Sequence, residues 1–187
     1  MGTRHPTATI RSVQVGPRCG RNRSAIRSGR DPVANTVILD KSQEDSRGAC
    51  YRSLLAETAR ALASLRQTHQ PRLVALVWIQ GESDATAGRA ETYRVNLEAM
   101  ISSLRKDLAA PNLIALLGLN TEFGGGNNPH LPDVIEAQKA YAQSDDRARY
   151  VDTAGASIAN NVHFDAAGTL DVGQRFADVL SAVLQHP

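Results

Sequence analysis

Two short stretches hold residues whose types and spacing suit chemistry. The first is Gln80-Gly81-Glu82-Ser83-Asp84. A side-chain amide fixed at a strand end can donate a hydrogen bond to a developing oxyanion. Gly81 permits a tight turn and the close approach of a substrate, and Glu82 can orient a histidine or hold substrate hydroxyls. The plainer reading has Gln80 and Glu82 capping the next helix and satisfying loop amides. The second stretch is Asn160-Asn161-Val162-His163-Phe164-Asp165. Of the five histidines, His5 and His186 sit at the chain ends, His69 lies in a polar turn, and His130 begins a helix, where capping is its expected task. His163 stands between apolar Val162 and Phe164, which can anchor it, and a histidine so placed can act as a general base at neutral pH. Packing on a helix start is its plainer role, and Asp165 reads as the cap of that helix.

The elements that must position these groups follow from hydrophobic patterning. Leu73 to Ile79 is an unbroken apolar run ending at Gln80, the pattern of a parallel strand buried on both faces. In open α/β sheets, ligands bind beyond the carboxyl ends of the strands, so the switch from apolar residues to Gln-Gly-Glu marks a site. Leu113 to Leu119 is a second wholly apolar run, Arg149 to Asp152 a third, shorter strand, and Val33 to Leu39 a further short one. Asp40 to Gly48 reads as a loop. Tyr51, Leu54, Leu55, Thr58, Leu62 and Leu65 recur at helical spacing within 49–66. Tyr93, Leu97, Met100, Ile101, Leu104 and Leu108 share the face of a second helix, which Pro111 ends. A third runs from about Pro132 to Gln143, with Val134, Ala137 and Tyr141 inward. A last helix spans about Thr169 to Gln185, with Leu170, Phe176, Leu180 and Val183 inward. Gly124-Gly125-Gly126-Asn127-Asn128-Pro129 makes a flexible loop after the second apolar strand. Strand alternating with helix indicates a doubly wound α/β sheet.

The 187 residues fit one domain, enough to bury roughly 70% of the unfolded chain's surface. No apolar run approaches the roughly 20 residues of a membrane helix, and no membrane partner is expected. Cys19 and Cys50 form no ligand pattern, so no metal site is indicated, although one bridge between them stays open. The net charge of +2 hides an asymmetry. Residues 1–30 carry seven arginines and no acid, whereas the remainder holds 14 Lys+Arg against 19 Asp+Glu. Such a start suits a transit peptide, a basic arm or a disordered leader. No aromatic interleaves the arginines to stack on bases, so nucleic acid is not the expected partner. Residues 1–31 are therefore read as an irregular basic leader and 32–187 as the domain. Oligomeric state and compartment are not written in the composition.

Trp78-Ile79-Gln80-Gly81-Glu82-Ser83-Asp84 resembles the W-x-Q-G-E-x-D block of the sialate O-acetylesterase and carbohydrate esterase 6 branch of the SGNH-hydrolase superfamily. Val162-His163-Phe164 with Gly168, then Gly173-Gln174-Arg175-Phe176-Ala177, is similar to that branch's closing D-x-x-H-F block and its x-G-x-R-x-A helix. Tyr93 through Arg105 and Ala137-Gln138 fall where the family has a Y-to-R helix and an A-Q pair. The resemblance covers about residues 48–185. It implies a three-layer α/β/α, flavodoxin-like fold with a doubly wound, mostly parallel sheet, incomplete in its N-terminal part. It also implies cofactor-free, metal-free hydrolysis of acetyl esters, commonly of sugars. By this resemblance His163 is the general base and Gln80 an oxyanion donor; Gly81, Glu82, Asp84 and Trp78 line the substrate.

Two departures accompany the resemblance. The family's nucleophile lies in a G-Q-S-N block near the N-terminus, and neither Gly-Gln-Ser nor Gly-Asp-Ser occurs here. Ser24, Ser28 and Ser42 have no supporting motif. Three residues before His163 the family has Asp where this chain has Asn160. An amide can hydrogen-bond the imidazole but cannot stabilise its charged form, and in serine proteases that exchange costs about 10⁴ in turnover. Glu82 is the first candidate to replace that acid, with Asp152 and Asp165 behind it. An inactive chain of the same fold, keeping a carbohydrate-binding crevice, is the alternative reading.

Overall fold

Alternation of apolar strands with amphipathic helices produces a parallel sheet in the computed structural model, which describes residues 48–119, 121, 127–161 and 163–185. The strands are Ala75–Ile79 (β1), Ile114–Leu119 (β2) and Ala148–Asp152 (β3), hydrogen-bonded in the order β1-β2-β3. Register sets Trp78 beside Leu117 and Ile79 beside Gly118, then Leu117 beside Tyr150 and Leu119 beside Asp152. Because every pair is parallel, one rim collects Gln80, the chain leaving Leu119 and the loop leaving Asp152. The helices are Ala49–Leu65 (α1), Ala90–Asp107 (α2), Leu131–Ser144 (α3) and Ala166–Gln185 (α4). This is a mixed α/β fold of the class expected. The basic leader, the strand at Val33 to Leu39, Cys19, Ser24, Ser28, Ser42 and most of the glycine loop lie outside the described residues. No helix of the described residues is long and apolar enough to cross a membrane.

Successive strand residues point to opposite faces, and the two faces carry separate cores. Leu76, Trp78, Ala115 and Leu117 meet α1, α2 and α3 through Tyr51, Leu97, Met100, Ile101, Leu104, Val134 and Tyr141. Ile114, Leu116 and Val151 meet α4 through Val172 and Phe176. Leu97, Met100, Ile101 and Leu104 are all within 1% of full burial, each stabilising by about 1.5–3 kcal/mol at most.

The first apolar run is not buried on both faces. Val77 is 53% and Ile79 39% exposed, whereas all six residues of β2 are buried. The cause is position. β1 is the outer strand among the described residues, and α4 crosses the second face over β2 and β3. Ala75 at the start of β1 packs against the cluster under α4, and near the strand's end Phe176 and Ile79 close over Gly118, which has no side chain to separate them. Leu170 also departs from the expected inward stripe and is 77% exposed, because the buried face of α4 runs through Gly168, Val172 and Phe176.

At the opposite rim one arginine ties three segments. Arg105, in the last turn of α2, donates from Nε to Leu113 O (3.0 Å), from one terminal nitrogen to Asp145 Oδ2 (2.6 Å) and from the other to Arg147 O (3.2 Å). Tyr141 donates to the same carboxylate oxygen at 2.5 Å. Burial works to raise the Asp145 carboxyl, but Arg105, Tyr141 and the Arg147 amide outweigh it and hold it below its ordinary value. A lowered carboxyl stabilises the fold above the unfolded-state value near about 4, and that contribution is lost as pH falls through the lower folded value. Asp145→Asn is therefore expected to cost roughly 2 kcal/mol at neutral pH, the scale of a charged hydrogen bond. The cost should shrink as pH falls below the ordinary carboxylate range, read as the difference in urea midpoint between the two proteins; a pH-independent difference contradicts the assignment.

Candidate active site

The turn after β1 is closed by its own backbone. The amides of Asp84 and Ala85 both donate to Gly81 O, at 3.0 and 2.9 Å. Gly81 has φ of +153°, and a Cβ there would stand 2.7 Å from Val134 Cγ1, so only glycine fits. Gln80 is half-buried. Its Nε2 donates to Asp84 Oδ2, and its Oε1 lies 3.4 Å from the Tyr93 hydroxyl. A primary amide has two N–H bonds, so one donor of Gln80 stays uncommitted by that pairing. Glu82 folds back to accept the Gly81 N–H at 3.1 Å. Asp84 is fully buried, and its carboxylate acts on the turn through Gln80. Trp78 is half-buried and packs against the core of the α1–α3 face, because it shares the inward side of β1 with Leu76.

The second stretch leaves β3 through a loop and forms a hairpin that sequence patterning did not show: Ile158–Asn160 (β4) against His163–Phe164 (β5). The pairing sets Asn160 opposite His163 and brings Asn160 Oδ1 to 3.0 Å from His163 Nδ1. With the proton on Nδ1 donated to that oxygen, Nε2 carries the lone pair a base needs. His163 is exposed, and Phe164 beside it packs against the core under α4. Asp165 starts α4. Its Oδ1 accepts the Gly168 N–H at 2.8 Å, its Oδ2 accepts the Ser157 hydroxyl, and its carbonyl accepts the Thr169 N–H at 2.9 Å. The Gly168 amide first, then Ser157, holds the Asp165 carboxyl below its ordinary value. His130, expected to cap, makes no side-chain cap; Asn128 Oδ1 accepts its backbone N–H instead, at 3.0 Å.

Gln80 and His163 thus lie at the same rim, after β1 and in the hairpin that follows β3. With β2 between their strands, the separation of those strands is roughly 10 Å. Thr153, fully buried, ties the middle of that rim by donating to Leu119 O. Of the acids considered as partners for the imidazole, Glu82 is engaged at Gly81, Asp165 at the α4 start, and Asp152 Oδ1 accepts the Ala154 N–H at 2.9 Å.

A family model described as carbohydrate esterase, sialic acid-specific acetylesterase, matches residues 34–182. The chain belongs to that family. A solved member of the same fold, an Arabidopsis thaliana protein determined by X-ray crystallography, superposes with a TM-score of 0.62 at 25% sequence identity. The match covers 72% of this chain and 53% of the Arabidopsis chain, so this acetylesterase-family chain spans about half the length of its structural relative. No curated protein matches it. Family membership fits the parallel sheet and the two blocks at one rim.

Three side chains that support this rim went unassigned by sequence reasoning. Asn128 Nδ2 donates to Ala85 O at 3.0 Å, tying the loop before α3 to the Gln80 turn. Tyr93 and Gln138 converge on Gln80 from below. The signal for the last two was present in the Y-to-R helix and the A-Q pair, where Tyr93 read as a packing position and Gln138 was given no role.

Proposed function

We propose that this chain hydrolyses acetyl esters of a sugar or related small molecule through an activated serine. His163 accepts the serine proton, and Gln80 donates to the oxyanion that forms on the acyl oxygen. Asn160 orients the imidazole, Glu82 is the first candidate to supply a carboxylate, and Gly81 lets the turn close against Val134 of α3. The observation that carries the reading is the His163–Asn160 pair (3.0 Å) at the same rim as the Gln80 turn, in a chain of the acetylesterase family. Collapse of the oxyanion expels the sugar alcohol, which takes the proton back from His163. Water then attacks the acyl-serine while giving a proton to His163, and acetate leaves as the serine recovers that proton.

A specific observation supports a second reading. The side chain on His163 Nδ1 is a neutral amide, which holds the ring but does not favour its charged form. In that reading the chain keeps a saccharide crevice and does not turn over. Labelling with a serine-reactive phosphonate separates the two. The esterase reading expects one phosphonyl group per chain on a serine, found by intact mass and peptide mapping. No adduct, together with saccharide binding by calorimetry, overturns it in favour of the second.

A further inference from the structure

We propose that Tyr93 and Gln138 are positioning residues: reaching from two helices onto one carbonyl, Gln80 O, they aim the Gly81 N–H and the Gln80 amide toward the rim. The inference rests on the esterase reading for what is bound there, and on geometry for the rest.

Tyr93 and Gln138 are 0% and 1% exposed, beneath the Gln80 turn. Polar groups so placed cost free energy unless hydrogen-bonded, and these bond to the turn and to each other. Gln138 Nε2 donates to Gln80 O at 3.0 Å and to the Tyr93 oxygen at 3.2 Å. Tyr93 donates to Gln80 O at 3.0 Å. One carbonyl therefore accepts from α2 and from α3. Burial raises the Tyr93 hydroxyl above its ordinary value against the opposing bond from Gln138, so it stays a donor.

That carbonyl belongs to the peptide unit whose nitrogen is Gly81. No peptide bond among the described residues is cis, and in a trans unit C=O and N–H point oppositely. Holding the oxygen down into the helical layer turns the Gly81 N–H up and outward. There it already holds an anionic oxygen, Glu82 Oε2. The Tyr93 hydroxyl also sits 3.4 Å from Gln80 Oε1, which steadies the amide plane whose Nε2 faces Asp84. The clamp thus sets both the backbone donor and the side-chain donor of the turn. A misaimed donor loses catalysis without losing binding, since small displacements of reacting geometry cost large rate factors.

The test uses Tyr93→Phe and Gln138→Met in the full chain, each deleting only the polar contacts at nearly constant volume. Expected are a fall in kcat of about tenfold on a chromogenic acetate ester and KM within about twofold. Shifted or broadened NMR signals of the Gly81 amide and the Gln80 side-chain amide are expected as well. Unchanged kcat, or an equal loss expressed wholly in KM, overturns the clamp while leaving the esterase reading intact. If the parent chain shows no turnover, the esterase reading fails, and the NMR signals alone judge the clamp. Shifts confined to Gln80 and Gly81 uphold it, and unshifted signals overturn it.

Discussion

Gly168→Ala is expected to destabilise the chain by about 3 kcal/mol or more, at the upper end of overpacking costs, whereas Gly173→Ala in the same helix stabilises it by about 0.5–1 kcal/mol. A Cβ on Gly168 would stand 1.9 Å from Ser157 O and 2.8 Å from Ser157 C, and nothing flexible is available to yield. The first turn of α4 packs directly on backbone, the same backbone that enters the His163 hairpin. Relief requires moving the helix start away from the hairpin, which also breaks the Asp165 bonds to Gly168 and Ser157. A Cβ on Gly173 meets nothing within 4 Å, so there alanine only restricts the unfolded chain and favours helix. Since folded proteins are stable by roughly 5–15 kcal/mol, the first change removes a large share. Urea midpoints moving in opposite directions for the two variants are the expected result. Equal midpoints contradict the close packing of α4 on Ser157.

His163→Ala is expected to lower acetate release by about 10²–10⁴-fold, the range for removal of a general base, with little change in stability. The side chain is exposed and Asn160, which it meets, lies at the surface too, so its loss falls in the range of ordinary surface substitutions, within about 0.5 kcal/mol. Stability and activity therefore part company at this residue, as they do not at Gly168. The same separation makes His163 the position where chemistry can be read without a folding artefact.

Several parts of this arrangement were legible in the residues. Two apolar runs, each ended by a change to polar residues, located β1 and β2, and helical spacing located α1, α2 and α3 to within a residue or two. Gln80 and His163 were singled out from residue type and from their place after strands; the first directly follows β1, and the second lies in the hairpin that follows β3. What the residues left open has physical causes. An apolar run tells that a strand is apolar, not whether a helix covers each face, so the exposure of Val77 and Ile79 was not legible. Strands of three and two residues, as in β4 and β5, are too short to show alternation. Asp84 was expected, by the resemblance, to line the substrate. It is buried because the Gly81 carbonyl gathers two amides and turns the chain inward. Tyr93 recurs at helical spacing and reads as core, and its hydroxyl matters only because Gln138 on another helix meets it.

The measurement that reaches the central claim most directly is initial-rate hydrolysis of a chromogenic acetate ester by the full chain and by His163→Ala, at equal concentration of folded protein. The account predicts turnover by the first and loss of at least about a hundredfold in the second. Equal rates in the two proteins, or no rate in either, contradict it.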